Sequence, residues 1–265
     1  MNVADREWAR FSPKERLARF TVLLCAGMLI AWSFGSVKII PEFLTDAPTQ
    51  MADLFDRMVP IDYDFYYEGV HTVLIETLHI ATLGTILTLI MALPIGIMAA
   101  RNVCTIPCLN LFATFILVSS RSVNSLVWAM LFVAIFGPGT LAGIVTIAVR
   151  SIGFVGKLFG EALEEIHKGP VEAIRSSGAT WFSIFTKAYW PQVSPAFWSI
   201  ALFRWDINVR ESSVIGLVGA GGIGVALDSA LNLFQWTRVS LILLCIFIVV
   251  IMAEVLVTQI RKHII

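Results

Sequence analysis

Six long apolar stretches limit what this chain can become. The last of them contains the run Val239 to Met252, VSLILLCIFIVVIM, which carries no charge. A bilayer core asks for about 20 predominantly apolar residues per helical crossing. Stretches of that kind fall at about 17–37, 70–99, 108–136, 140–160, 192–215 and 237–259. Lipid offers no partner for the backbone, so each stretch must satisfy its own hydrogen bonds as a helix. Composition agrees: 57% of the residues are hydrophobic and only 14% are charged, against about 25% charged in a soluble domain. Mean hydropathy is +0.82. The expected fold is all-α, a polytopic membrane protein with six transmembrane helices. Pro94 is expected to interrupt the second helix late, and the third is expected to run unbroken past Arg121, Asn124 and Ser125.

The polar residues between the stretches set sidedness. Net formal charge is zero, so no global basic field points to nucleic acid. Residues 1–16 form a basic arm with Arg6, Arg10, Lys14 and Arg16, and residues 1–40 group as this arm plus a retained anchor helix, with no convincing cleavage site. Residues 41–68 are acidic, and Met51, Leu54, Phe55 and Met58 recur at helical spacing, which suggests a short amphipathic helix at the membrane surface on the periplasmic side. Residues 69–265 form the transmembrane core. With the N-terminus inside, twelve of the nineteen Lys and Arg residues fall on the cytoplasmic side, the bias that sets orientation in membranes. Both termini, and the polar loop 161–191, are then cytoplasmic. Cys104 and Cys108 have no His or further Cys at metal-ligand spacing, so a packing role fits better than a zinc site and no metal is expected.

The loop carries a signal of its own. Glu172-Ala173, then Gly178, then Pro191 thirteen residues later resemble the E-A-A-x-x-x-G loop of ABC-importer permeases. Ile174, Ala188 and Trp190 depart from the consensus. Gly169-Pro170 suits a helix start, Gly178 should end that helix, and Thr180 is available to cap the next one. The runs RSVNSLVWAMLF, GPVEAIRSSGA and NVRESSVIGLVGAGGIGVAL, spread over residues 121–227, are similar to the permeases of phosphonate ABC importers, a family that includes phosphite and hypophosphite permeases. The resemblance implies a MetI-like, type I importer fold in the bacterial cytoplasmic (inner) membrane. It implies a homodimer of permeases, two ATP-binding subunits at the loop and a periplasmic substrate-binding protein. Glu172, Ala173 and Gly178 would then dock the ATPase. The chain itself is expected to be non-catalytic and to bind no cofactor, since it has no G-x-x-x-x-G-K-[ST]; ATP and Mg belong to the partner.

Two further features bear on the pathway. Gly219, Gly221, Gly222 and Gly224 satisfy G-x-G-x-x-G, but no βαβ pattern surrounds them and Leu244 stands where an acidic residue would be needed. They read instead as a turn at the outer face, either lining a gate, meeting the binding protein, or serving only as a tight turn. Charges inside spans are expensive and usually face a cavity or a partner. Arg121 with Asn124, Arg150, and then Arg204, Asn208, Arg210 and Glu211 are the pathway candidates. In a helix, Arg204, Asn208 and Glu211 share one face, while Asp206 and Arg210 pair on another. Guanidinium forks suit phosphorus-bound oxygens; internal salt bridges holding the bundle are the competing reading. Replacing Arg121 or Arg204 by Met is expected to abolish uptake with assembly intact. A permease for another small solute, such as an amino acid, and an ion-driven carrier remain alternatives.

Overall fold

Ser12 and Glu15 cap the first helix reciprocally. The Glu15 amide donates to Ser12 Oγ at 3.4 Å and the Ser12 amide to Glu15 Oε2 at 2.9 Å, with Pro13 in the first turn where its missing N–H is not needed. The computed structural model describes residues 11–36 and 41–264. Regular structure among them is helical throughout, so the glycine run has no strand beside it. Arg6 and Arg10 of the basic arm, and Lys38, lie outside the described residues. The chain divides into two compact units, residues 1–54 and 55–265. The first holds α1 (Pro13–Ser36) and most of α2 (Pro41–Met58), the helix expected from the acidic amphipathic segment.

The second unit is built on two helices, α3 (His71–Ala99) and α6 (Thr140–Glu164). They run parallel: Gly143 faces Ile80, Gly84 faces Ile147, Thr88 donates to the Ala148 carbonyl at 3.4 Å, and Gly96 meets Gly156 and Phe159. Small residues on the facing sides let the two backbones approach. Pro94 does not interrupt α3, contrary to expectation. A proline removes one hydrogen bond, and contacts to α6 on both sides of it hold the helix through that point.

Parallel helices need a return traverse between them, and α4 (Pro107–Ser122) with α5 (Ser125–Phe136) supplies it. Asn110 Nδ2 donates to the Ala99 carbonyl where α4 departs. Leu117 packs on Gly153 and Gly156 of α6. At the far end the Gly139 amide donates to the Gly219 carbonyl at 2.9 Å. The two helices meet at 95°, so the third traverse is broken, not the single helix expected over 108–136. The cause is local: Val123 is extended, and Asn124 Oδ1 accepts from the Leu126 amide at 3.0 Å as the N-cap of α5. Arg121, Asn124 and Ser125 therefore do not form one helical stripe.

Helices α7 (Lys168–Ser176) and α8 (Trp181–Ile184) follow α6. A π-helical turn, Phe185–Tyr189, joins α8 to α9 (Trp190–Ile215), which runs antiparallel to α6. The polar interval 161–191 is thus mostly helical. Helix α6 extends into it to Glu164, and the next helix rises from Trp181. After the glycine turn come α10 (Ile223–Asn232) and α11 (Trp236–Ile264). Among the described residues, helices α1, α3, α6 and α11 are each long and apolar enough to cross a membrane, and the number is up to six if the bent pairs α4–α5 and α9–α10 each count as one span.

Candidate translocation and coupling sites

One end of the second unit carries the E-A-x-x-x-x-G segment. Helix α7 is amphipathic, and its apolar face is committed. Val171 is buried and Ile174 partly so, against Phe159, Leu163, Tyr189, Val193 and Phe197. The turn between α3 and α4 closes the same cluster: the Arg101 amide donates to Glu164 Oε1 at 2.8 Å, and Asn102 Nδ2 donates to the Leu163 carbonyl. That leaves Glu172 and Ala173 exposed away from the cluster, Arg175 exposed at its edge and Gly178 exposed past the helix end. Gly178 sits at φ +75° with open space around it. Only glycine enters that conformation without strain, so the residue ends α7 and lets the chain turn back. Thr180 occupies the N-cap of α8, but its hydroxyl pairs with Ser183 Oγ at 3.2 Å, not with a backbone amide as expected. Past the Gly178 turn, on α8, Trp181 and Phe182 are 56% and 69% exposed. An exposed acidic and aromatic surface on a rigidly backed short helix is suited to gripping by another protein.

Four of the charged and polar span residues converge in mid-bundle. Arg204 of α9 is buried, its Nε donating to Ser151 Oγ of α6 at 2.8 Å and its Nη2 to Glu211 Oε2 at 2.9 Å. Ser151 donates in turn to Asn208 Oδ1 at 3.2 Å, and Asn208 Nδ2 donates to Thr85 Oγ1 of α3 at 2.8 Å. The other carboxylate oxygen of Glu211 faces Arg150 Nη2 of α6 at 3.5 Å. Arg204, Asn208 and Glu211 therefore share one face of α9, as their spacing predicts. Asp206 and Arg210 pair with each other, apart from this cluster. Arg121 does not join it either. It packs beside Gly153 and lines a separate 200 Å³ cavity with Arg101, Lys157 and Glu161, and it has no ion-pair partner among the described residues. Ser151 and Thr85 were invisible to sequence reasoning, because small hydroxyls in helices ordinarily bond back to their own backbone.

At the other end the glycine segment folds into the bundle. Gly219, Gly221 and Gly222 have φ of +86°, +83° and +74°. A Cβ at Gly224 would lie 2.3 Å from the Ser213 carbonyl oxygen, and one at Gly221 would lie 2.8 Å from Glu76 Oε1. The Ile223 amide donates to Thr77 Oγ1 at 2.7 Å. This irregular backbone is covered by α3 and by the start of α6, the condition for tolerating it at membrane depth.

Residues 92–265 match the family model of the binding-protein-dependent transport system inner membrane component. The chain is 35% identical to the phosphite transport system permease protein PtxC of Stutzerimonas stutzeri, over 94% of this chain and 89% of that one. It is 35% identical to the phosphate-import permease protein PhnE of Mycolicibacterium smegmatis (strain ATCC 700084 / mc(2)155), over 95% of this chain and 47% of that protein, so it spans about half of PhnE. Among solved structures, the inward-facing MetNI methionine ABC transporter shares the fold with a TM-score of 0.63 at 25% identity, over 74% of this chain and 96% of the matched one.

Proposed function

The chain belongs to the family of binding-protein-dependent transport system inner membrane components, and from that premise we propose that it is the permease subunit of an ATP-driven importer for a phosphorus oxyanion. Phosphonate, phosphite and hypophosphite are the expected cargo, and the phosphate named for one relative fits the same chemistry. The observation that carries the substrate class is the relation to a phosphite permease along nearly the whole of both chains. The mid-bundle cluster agrees with it in sign: Arg150 and Arg204 share the single carboxylate of Glu211, which leaves one positive charge for an anion.

The remaining assignments follow from this reading. Two copies form the pathway, and Arg121, Asn124, Arg150, Arg204, Asn208, Arg210 and Glu211 are its proposed residues. The exposed face of α7, with Glu172, Ala173 and Gly178 at its turn, docks one of two ATPase subunits on the cytoplasmic side, where both termini also lie. The turn at Gly219, Gly221, Gly222 and Gly224 stands at the outer face, where a periplasmic binding protein delivers the anion. The permease catalyses nothing and binds no cofactor, while ATP and Mg act on the ATPase. Residues 1–40 serve as arm and anchor, 41–68 as a surface segment, 69–265 as the core, and 161–191 as the coupling loop.

The test is affinity purification from native membranes in mild detergent, then reconstitution of the recovered complex in proteoliposomes. Co-purification of an ATPase and a binding protein, with ATP-dependent uptake of phosphite or methylphosphonate, is expected. Uptake of methionine alone would overturn the substrate class, and uptake that survives ATP depletion would overturn the importer.

A further inference from the structure

The two arginines of the mid-bundle cluster are not equivalent. Arg204 is 2% exposed, and both of its hydrogen bonds are short and internal: Ser151 Oγ at 2.8 Å and Glu211 Oε2 at 2.9 Å. Its charge is matched by Glu211, and its side chain is packed between α6 and α9. Arg150 differs on each count. Its side chain is 26% exposed, its approach to Glu211 is 3.5 Å, and its buried Nε has no hydrogen-bond partner. A separation of 3.5 Å is outside the usual range for an N–H···O bond of about 2.7–3.2 Å. Counting charge, Arg204 and Glu211 cancel, and the surplus of the cluster rests on Arg150. A guanidinium that is only loosely paired, with a buried donor left unused, is unfavourable until an anion reaches it.

We propose that Arg150 is the residue of this chain that takes hold of the transported oxyanion, and that Glu211, held by Arg204, is the built-in competitor that makes it let go. This rests on the phosphorus-oxyanion reading above. The Arg150 fork offers parallel N–H donors to two oxygens on phosphorus, the geometry in which guanidinium outperforms ammonium. Glu211 stands at Nη2 of the same guanidinium. Its fixed negative charge repels the incoming anion and reoccupies Arg150 when the anion moves on. Tight retention would stall a pathway, so a weak resident counter-ion favours turnover. Arg204 touches no substrate; it is a positioning residue that, with Ser151 and Asn208, keeps Glu211 within reach of Arg150. Nothing covalent changes, and the only exchange is of one oxyanion for another at a cation.

The experiment uses the complete transporter in proteoliposomes and measures phosphite uptake against concentration for wild type, Arg150→Gln, Arg150→Lys and Glu211→Gln. Arg150→Gln should lose uptake by at least about tenfold, the worth of a charge-assisted hydrogen bond. Arg150→Lys, which keeps the charge but not the fork, should fall between it and wild type. Glu211→Gln should lower KM and kcat together, since the anion then binds more tightly and leaves more slowly. A purely structural cluster gives a different pattern: yield and thermal stability fall, and KM for phosphite stays put. If Arg150→Gln does not assemble, the other two variants decide. Unchanged KM and kcat in both would overturn the proposal, as would full uptake by an assembled Arg150→Gln. A wild-type complex that moves no phosphorus oxyanion overturns the substrate reading and this inference together. Phosphite uptake by wild type, with unaffected variants, overturns this inference alone.

Discussion

Arg121 and Arg204 stand on equal footing in the sequence, each an arginine inside an apolar stretch, and the structure separates them. Arg121 is exposed at the end of α4, with room around it. Arg204 is enclosed, and Glu211 depends on it for its one short bond. Removing one partner of a buried ion pair costs about 3–5 kcal/mol because the other charge is left unpaired. Arg204→Met is therefore expected to reduce recovery of assembled complex and lower its Tm, whereas Arg121→Met should assemble normally and lose only uptake. Size-exclusion yield and thermal melting of the two purified variants check this, and equal behaviour would contradict the separation. For Arg204 this replaces the expectation of intact assembly, and for Arg121 that expectation stands to be tested. The spacing of Arg204, Asn208 and Glu211 was legible because helical periodicity is local. Their partners Ser151 and Thr85 were not, because nothing in a sequence says which hydroxyl of another helix will be 2.8 Å away.

At the scale of elements, legibility followed the same division. Helix α7 could be read from Gly169-Pro170 at its start and Gly178 beyond its end, since both act through backbone geometry. The 95° break between α4 and α5 was missed, because residues 108–136 are apolar enough to pass for one span. The signal was present in Asn124, a strong N-cap residue, with Ser125 after it. Helix α7 also permits a test that separates folding from docking. Val171 is 5% exposed in the apolar cluster while Glu172 is on the outside. Val171→Asp buries a carboxylate without a partner and should destabilise the permease by about 2 kcal/mol or more. Glu172→Ala should leave the permease's own melting temperature unchanged. Both should reduce the ATPase recovered in a pull-down. A Glu172→Ala permease that retains its full complement of ATPase would show that the exposed face of α7 is not the docking surface.

For the whole molecule, the parallel course of α3 and α6 bears on the number of traverses, which the apolar stretches of the sequence set separately. Both helices begin at the glycine-turn end, where Thr77 bonds Ile223 and Gly143 faces Ala220. Both finish at the α7 end, where Asn102 bonds Leu163. The chain must cross back between them, so the bent α4–α5 pair counts as one traverse. Helix α6 has 25 residues, roughly 37 Å at 1.5 Å per residue, against about 30 Å of hydrocarbon. That length is enough to span the hydrocarbon, and a crossing puts its two ends on opposite sides of the membrane. The arrangement of Lys and Arg supports the proposal that the α7 end is the inner one. Single cysteines placed at Ser177, beside Gly178, and at Asn232, at the end of α10, should report this in a background lacking Cys25, Cys104, Cys108 and Cys245. A membrane-impermeant maleimide added to intact cells is expected to label the Asn232 position and spare the Ser177 position, and opening the cells should expose the second. Labelling of both from outside would mean that α6 does not cross. The reverse pattern would keep the bundle and invert its orientation, placing α7 beyond the reach of any cytoplasmic ATPase.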